Sequence, residues 1–302
     1  MLADAVATYV AIRRAAGFAF RSAGQLLESF ARFSDAKGES AVRAPLAIEW
    51  AGLARSVEQR ARRLGIVRRF AHYARAEDAR HEIPPAVFGA EKRSRPVPYI
   101  LSPAEIRQLV EAASRSGYRT LRRDTYRTLF ALLACTGLRV SEAIRLCLDD
   151  ITPEGLVIRC SKFRKNRLVP LHDTARAGLE RYLQRRLPYA PAEPHVFVSL
   201  RRKALLVSDV EVAFRTAARA VGLPDTPARS RPTPHSLRHT FAVRALQACP
   251  DGRDAIAQHM LALSTYLGHA KVADTYWYLE AVPELMTDIA DRCERFVMGE
   301  RS

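Results

Sequence analysis

Lysine is scarce in this 302-residue chain. Six residues (Lys37, Lys92, Lys162, Lys165, Lys203 and Lys271) stand among 48 basic side chains, the other 42 being arginine. Cysteine is equally thin: Cys135, Cys147, Cys160, Cys249 and Cys293 are odd in number and form no CxxC pair. That excludes a disulfide framework and a cysteine-based zinc site, and makes a reducing cytoplasm the expected setting. No apolar run approaches the ~18 residues of a membrane span. The N-terminal MLADAVATYVAIRRAAG places its arginines after the apolar stretch and has no cleavage pattern, so it does not read as a signal peptide. No Gly-rich GxxxxGK loop is present, and no carboxylates are paired at metal-ligand spacing, so neither a bound metal nor a cofactor is expected.

What is abundant is positive charge. Against 32 acids the basic residues leave a formal +16, which points to a polyanionic partner, most simply nucleic acid. A GC-rich genome would explain arginine in place of lysine, but not the excess of arginine over acids. At 48% hydrophobic and 26% charged residues the chain is otherwise an ordinary globular one.

The length suggests two domains, and the sequence offers a place to divide them. Residues 80–98, RHEIPPAVFGAEKRSRPVP, contain Pro84, Pro85, Pro96 and Pro98, which exclude a continuous helix. Directly after them Ser102, Pro103 and Glu105 spell a capping box with proline at the first helical position. The expected domains are 1–92 and 93–302. Residues 1–95 hold 17 basic and 10 acidic residues, net +7, and the remainder 31 and 22, net +9. Both parts are basic, as if both touched one polyanion.

Hydrophobic periodicity makes the first domain all helical, with helices near 4–16, 21–37, 46–54 and 56–79. Arg55, Arg62 and Arg69 recur every seventh residue and share a face, either a phosphate-tracking surface or simply a solvated one. The second domain is mixed. Helical patterns cover about 103–115, 122–135, 141–147, 173–187, 207–221, 235–248, 253–267 and 283–297. Strand-like pieces are Gly155–Cys160, Arg167–Leu171 and a short His195–Ser199. The fold class expected is mainly α with a small antiparallel sheet.

Four patterns in that domain carry chemistry. In TGLRVSE, Gly137 can end one helix and Ser141 cap the next, so Arg139 sits in a rigid elbow; an Arg139–Glu142 ion pair would also explain it structurally. In SKFRKNRLVPL a basic turn holds Lys162, Arg164, Lys165 and Arg167. Two of only six lysines fall there, and lysine, unlike arginine, can give up a proton as a general acid. In HSLRHTFA, His235 and Arg238 share a helix face near a helix start, where an anion can bind. The neighbouring His239 reads as a residue that packs or hydrogen-bonds within the core. In LGHAKVADTYWY, His269 follows a glycine and a helix then presents Tyr276, Trp277 and Tyr278, none of which local context marks as reactive. Together these are cations arranged for a phosphate, with a phenol nearby.

These motifs, in this order over residues 101–285, resemble the tyrosine recombinase (phage integrase) family, with the 1–79 helices matching more loosely. The N-terminal YVAIRRAAGFAFRSAGQLLESFARF looks more like recombinases of mobile elements than like the Xer pair. With no arm-binding domain ahead of residue 1, a lambda-type use of arm sites is not expected. The resemblance implies a DNA-clamping helical domain and a catalytic domain that breaks and rejoins double-stranded DNA without ATP or metal. It implies Arg139, Lys162, His235, Arg238, His269 and Tyr278 as the catalytic set, and Glu142 as support. Lys162 rather than Lys165 would be the hairpin lysine. Tyr278 would be the nucleophile, since it lies nine residues beyond His269, with Tyr276 as the neighbour that could be confused with it.

By the same resemblance Tyr278 forms a 3′-phosphotyrosyl link, the arginines bind the non-bridging oxygens and Lys162 protonates the leaving 5′-oxygen. Arg55, Arg62, Arg69, Arg164 and Lys165 are the expected DNA contacts. The tail helix 283–297 would dock on a neighbouring protomer in a tetramer, or on its own domain. A type IB topoisomerase, a DNA-binding module without catalysis and a metal-dependent nuclease stay open as other readings.

Overall fold

The computed structural model describes residues 2–89, 97–115, 121–159, 166–224, 231–248, 253–269 and 271–281, together with Glu294 and Met298. Contacts divide the chain into two compact units, Met1–Arg95 and Pro96–Ser302.

The first unit consists of α1 (Leu2–Ala15), α2 (Arg21–Asp35), α3 (Ala44–Gly52) and α4 (Val57–Glu77). Leu27, Phe30, Val67 and Phe70 are fully buried at its centre. Each such side chain contributes about 1.5–3 kcal/mol relative to exposure. Around them Tyr9 packs its ring on Phe20, Phe70 and Tyr73 at 5.7, 5.5 and 5.0 Å. Ser56 caps α4 by accepting from the Gln59 N–H at 3.2 Å. The cap places Arg55 in the turn ahead of α4 rather than on its face, so of the arginine series only Arg62 and Arg69 are helical. All three are exposed. Arg60 and Arg63 are half-buried instead, and donate to the carbonyls of Ala54 and Trp50, pinning the turn from α3 to α4.

The second unit opens with the expected capping box. Ser102 N–H donates to Glu105 at 2.7 Å, Glu105 N–H donates back to the Ser102 hydroxyl at 3.1 Å, and α5 runs Pro103–Arg115. Then come α6 (Leu121–Thr136), the single turn α7 (Val140–Ala143) and a three-stranded antiparallel sheet of β1 (Ile151–Thr152), β2 (Gly155–Ile158) and β3 (Arg167–Val169). Helices α8 (Asp173–Tyr189), α9 (Val207–Ala220), α10 (Pro234–Gln247), α11 (Arg253–Leu267) and α12 (Ala273–Ala281) complete it. Its core joins Leu109, Leu129, Phe130, Leu133, Phe197, Phe214 and Leu237, all essentially without exposure.

Three expectations need correction. The helix expected over 141–147 is one turn, because the Leu146 and Leu148 backbones bond the 194–196 segment instead. His195–Ser199 is not a strand and makes only isolated bridges, Cys147 to His195 and Val198 to Ala204. The wholly buried Arg186 contributes to this, since its guanidinium takes the carbonyls of His195 and Val196 in the segment, as well as those of Ala190 and Glu193 ahead of it. A strand β1 also precedes the expected hairpin. The turn with Lys162, Arg164 and Lys165, the linker residues 90–96 and most of the 283–297 tail lie outside the described residues. No helix among the described residues is long and apolar enough to cross a membrane.

Candidate active site

The site is built around the C-terminal end of α11, where a helix leaves its last carbonyls without intrahelical partners. Here arginines take them. Arg167 Nε donates to the Tyr266 carbonyl at 2.8 Å, and Arg238 Nη2 to Leu267 at 2.7 Å. Arg139 Nη2 donates to Gly268 at 3.0 Å, with a longer 3.4 Å contact from its Nη1 to Leu267. Three consecutive carbonyls thus orient three guanidiniums. The negative end of the α11 dipole offsets part of their mutual repulsion.

Two glycines allow this convergence. Gly137 ends α6 at φ +61, and a Cβ there would lie 2.6 Å from the Phe241 ring of α10. Its carbonyl accepts from Arg238 Nη1 at 2.7 Å. Gly268 ends α11 at φ +65, where a Cβ would stand 2.8 Å from Arg167 Nη1. Both positions require backbone conformations that L side chains avoid.

Glu142 locks the cluster from below. Its carboxylate, with 7% of the side chain exposed, receives Arg139 Nη1 at 2.8 Å and both Arg167 Nη atoms at 3.0 and 2.8 Å. It also accepts the Arg139 backbone N–H at 3.0 Å. Burial pushes the Glu142 pKa up, but the bonds from Arg167 and Arg139 outweigh it and hold the carboxyl down at about 2. The ion pair that would explain Arg139 structurally is therefore present, and it coexists with an arginine aimed by two backbone carbonyls as well. Arg238 is 2% exposed, and burial followed by the like charge of Arg139 lowers its pKa to about 10, still protonated at neutral pH.

The histidines and the tyrosine lie alongside. His269 Nδ1 bonds the Thr275 hydroxyl at 2.8 Å, and its ring lies parallel to that of Tyr278, 6.3 Å away. Burial, then Arg238 and Arg139, push the His269 pKa down to about 4. Tyr278 is only 2% exposed, whereas Tyr276 is 51% exposed on the other side of α12. His235 is exposed as a residue, but its ring is crowded by His239 at 4.4 Å. That partial loss of water, followed by Arg238 and Arg139, lowers its pKa to about 4. Arg139, Glu142, His235, Arg238, His269 and Tyr278 therefore form one constellation, and the hairpin lysine lies outside the described residues.

Two members were not anticipated. Arg167 had counted only as one charge of the basic turn. The available signal was strand alternation, because Arg167 shares a face with Val169, which is fully buried. His239 had been read as packing or hydrogen-bonding within the core, and its Nδ1 does lie 3.1 Å from the hydroxyl of the buried Tyr278, but its place in this cluster was not foreseen. Its spacing of four from His235 on α10 was the signal. Among the described residues no group of His, Cys, Asp or Glu is arranged to hold a metal ion.

Comparison with known proteins is decisive about the family. The family profile described as phage integrase matches residues 100–284. The chain belongs to the phage integrase family. This recombinase is 37% identical over 303 residues to a Sinorhizobium fredii protein named as integrase/recombinase y4rB, covering 97% of this chain and 96% of that one. It is 32% identical over 237 residues to the tyrosine recombinase XerD of Caulobacter vibrioides, covering 76% and 72%. In fold it is similar to a lambda integrase fragment dimer bound to a COC′ core site (TM-score 0.65, 20% identity, 90% and 96% covered). It is similar also to XerH site-specific recombinase bound to palindromic difH substrate (TM-score 0.64, 18% identity, 90% and 78% covered). The chain is thus a tyrosine-type site-specific recombinase, an enzyme that cleaves and rejoins DNA strands.

Proposed function

We propose that Tyr278 is the nucleophile of this recombinase and that Arg139 and Arg238 are its phosphate clamp. The observation that carries this is the alignment of arginines on the carbonyls of residues 266–268, with Tyr278 and His269 packed beside them. Such a cluster is preorganised for the charge that builds on the non-bridging oxygens of a phosphodiester under attack.

In the forward step the Tyr278 Oη–P bond forms and the P–O5′ bond breaks, giving a 3′-phosphotyrosyl link and a free 5′-hydroxyl. Lys162 gives the leaving oxygen its proton, and His235 and His269 complete the oxygen contacts or assist the phenolic proton. The covalent link keeps the phosphodiester energy, so attack by a second 5′-hydroxyl reseals the strand without ATP. Glu142 acts through Arg139.

The division at 1–92 and 93–302 fits a clamp in which the helical unit grips DNA through Arg55, Arg62 and Arg69, and the hairpin through Arg164 and Lys165. Lambda integrase is known as a tetramer bound to a Holliday junction. By analogy this chain works as a tetramer on paired double-stranded sites, in the cytoplasm. A size measurement on paired sites that found only monomers or dimers would refute the tetramer.

The direct test uses a nicked duplex whose cleavage traps the covalent adduct, resolved on a denaturing gel with EDTA present. The parent protein should form the adduct and Tyr278→Phe should not. An adduct formed by Tyr278→Phe would overturn the assignment of the nucleophile.

A further inference from the structure

Resting on Tyr278 as nucleophile, we infer that His239 is the residue that holds that nucleophile: its Nδ1 accepts the hydrogen bond of the Tyr278 hydroxyl and fixes the direction of the phenol. His239 lies one residue beyond Arg238 on α10, one turn after His235. Its Nδ1 is 3.1 Å from Tyr278 Oη, within ordinary hydrogen-bond range. The imidazole cannot easily swing away. His235 meets it edge-on at 4.4 Å, Trp277 at 5.2 Å and the Tyr278 ring at 5.5 Å. Tyr278 is 2% exposed, so little water reaches it to replace the bond from His239.

The surroundings keep the ring able to accept. Burial first, then His235, Arg238 and His269, push the His239 pKa down to about 3, so the ring is neutral at physiological pH. A neutral imidazole has one bare nitrogen. With that nitrogen at Nδ1, Tyr278 donates and His239 accepts.

His239 acts through the hydroxyl that its Nδ1 contacts, so it is a positioning residue. Because it neighbours Arg238 on the same helix, the phosphate clamp and the nucleophile's holder share one rigid element. The register between them is set before DNA arrives.

Asparagine places an oxygen acceptor where Nδ1 stands, while phenylalanine keeps the ring and removes the acceptor. Single-turnover adduct formation on a nicked duplex carrying the protein's own site should fall about tenfold for His239→Phe, the size of one hydrogen bond. For His239→Asn it should return to within about threefold of the parent. DNA affinity should stay within about twofold for both. A parental rate for His239→Phe, or a rate for His239→Asn as low as that of His239→Phe, overturns the proposal.

A second measurement needs neither DNA nor activity. In protein with 15N-labelled histidine, Tyr278→Phe should move the Nδ1 resonance of His239, assigned by its loss in His239→Asn. An unmoved resonance, or a protonated Nδ1, overturns the proposal even if His239→Phe fails to fold. An adduct from Tyr278→Phe would instead strike the nucleophile assignment, and the resonance test would still report on the hydrogen bond.

Discussion

Replacing Arg167 by methionine should weaken the catalytic unit far more than losing a surface charge. Of the four bonds that Glu142 receives, Arg167 supplies two, at 3.0 and 2.8 Å, and it also supplies the donor for the Tyr266 carbonyl. Removing one partner from a buried ion pair costs about 3–5 kcal/mol. Arg139 remains beside Glu142, so the lower end applies, about 3 kcal/mol. In a unit of this size that corresponds to a fall of about 6–12 °C in Tm.

The carboxylate gives an independent figure. Holding Glu142 at about 2 instead of 4.5 corresponds to roughly 3 kcal/mol, to which Arg167 and Arg139 both contribute, so it bounds the share of Arg167 at the same order. A depressed carboxyl contributes stability that is fully present above its ordinary pKa and is lost as pH falls through the folded one. The gap between parent and Arg167→Met should therefore be complete at pH 7 and shrink between pH 4.5 and 2. The chain has two tryptophans, Trp50 and Trp277, one in each unit. In a Trp50→Phe background, fluorescence then follows the catalytic unit alone. Arg167→Met, Glu142→Gln and their combination complete a cycle, with an expected coupling of at least ~1.5 kcal/mol. Additivity within ~0.5 kcal/mol would refute the idea that Arg167 works through Glu142.

Gly268→Ala should cost about 2 kcal/mol in the same fluorescence transition, since a left-handed backbone strains an L residue and the new methyl meets Arg167; an unchanged transition would refute the close approach. Arg62→Ala with Arg69→Ala should lower the slope of log affinity against log salt by about two on any duplex, while leaving the stability of the helical unit within about 0.5 kcal/mol. An unchanged slope would mean that these exposed arginines do not face DNA.

What could be read in advance was what local chemistry decides. Helix α5 begins at Pro103 because Ser102 and Glu105 satisfy each other's backbone, and no distant residue has a vote. Arg139 and Glu142 were legible as a pair because they are three residues apart across a glycine-ended helix. Arg167 reaches Glu142 across 25 positions and the Tyr266 carbonyl across 99, so its use depends on how β3 is laid against α11. The failure at His195–Ser199 has the same origin. Propensity favoured a strand, but Arg186 takes the carbonyls of His195 and Val196. That His239 packs or hydrogen-bonds within the core could be read in advance, but its partner could not. A half-buried histidine on a helix is often satisfied by the backbone, and the arrival of α12 supplies a phenol instead.

The chain's preference for arginine has a local logic at this site that genome composition does not supply. A guanidinium carries five N–H groups in a plane. Two from Arg238 are held by the carbonyls of Gly137 and Leu267, each at 2.7 Å, which leaves others able to meet a phosphate oxygen. Lysine concentrates its three donors on one nitrogen at the end of a flexible stem. Tied to two carbonyls, it would have little left to offer and no fixed direction in which to offer it. Anchoring on the end of α11 therefore requires arginine at 139, 167 and 238, whereas proton donation requires lysine, because arginine keeps its proton near neutrality. The proposed division of labour thus gives the arginines a place fixed by the fold, and two of the six lysines fall in the segment between β2 and β3 that holds the proposed donor Lys162.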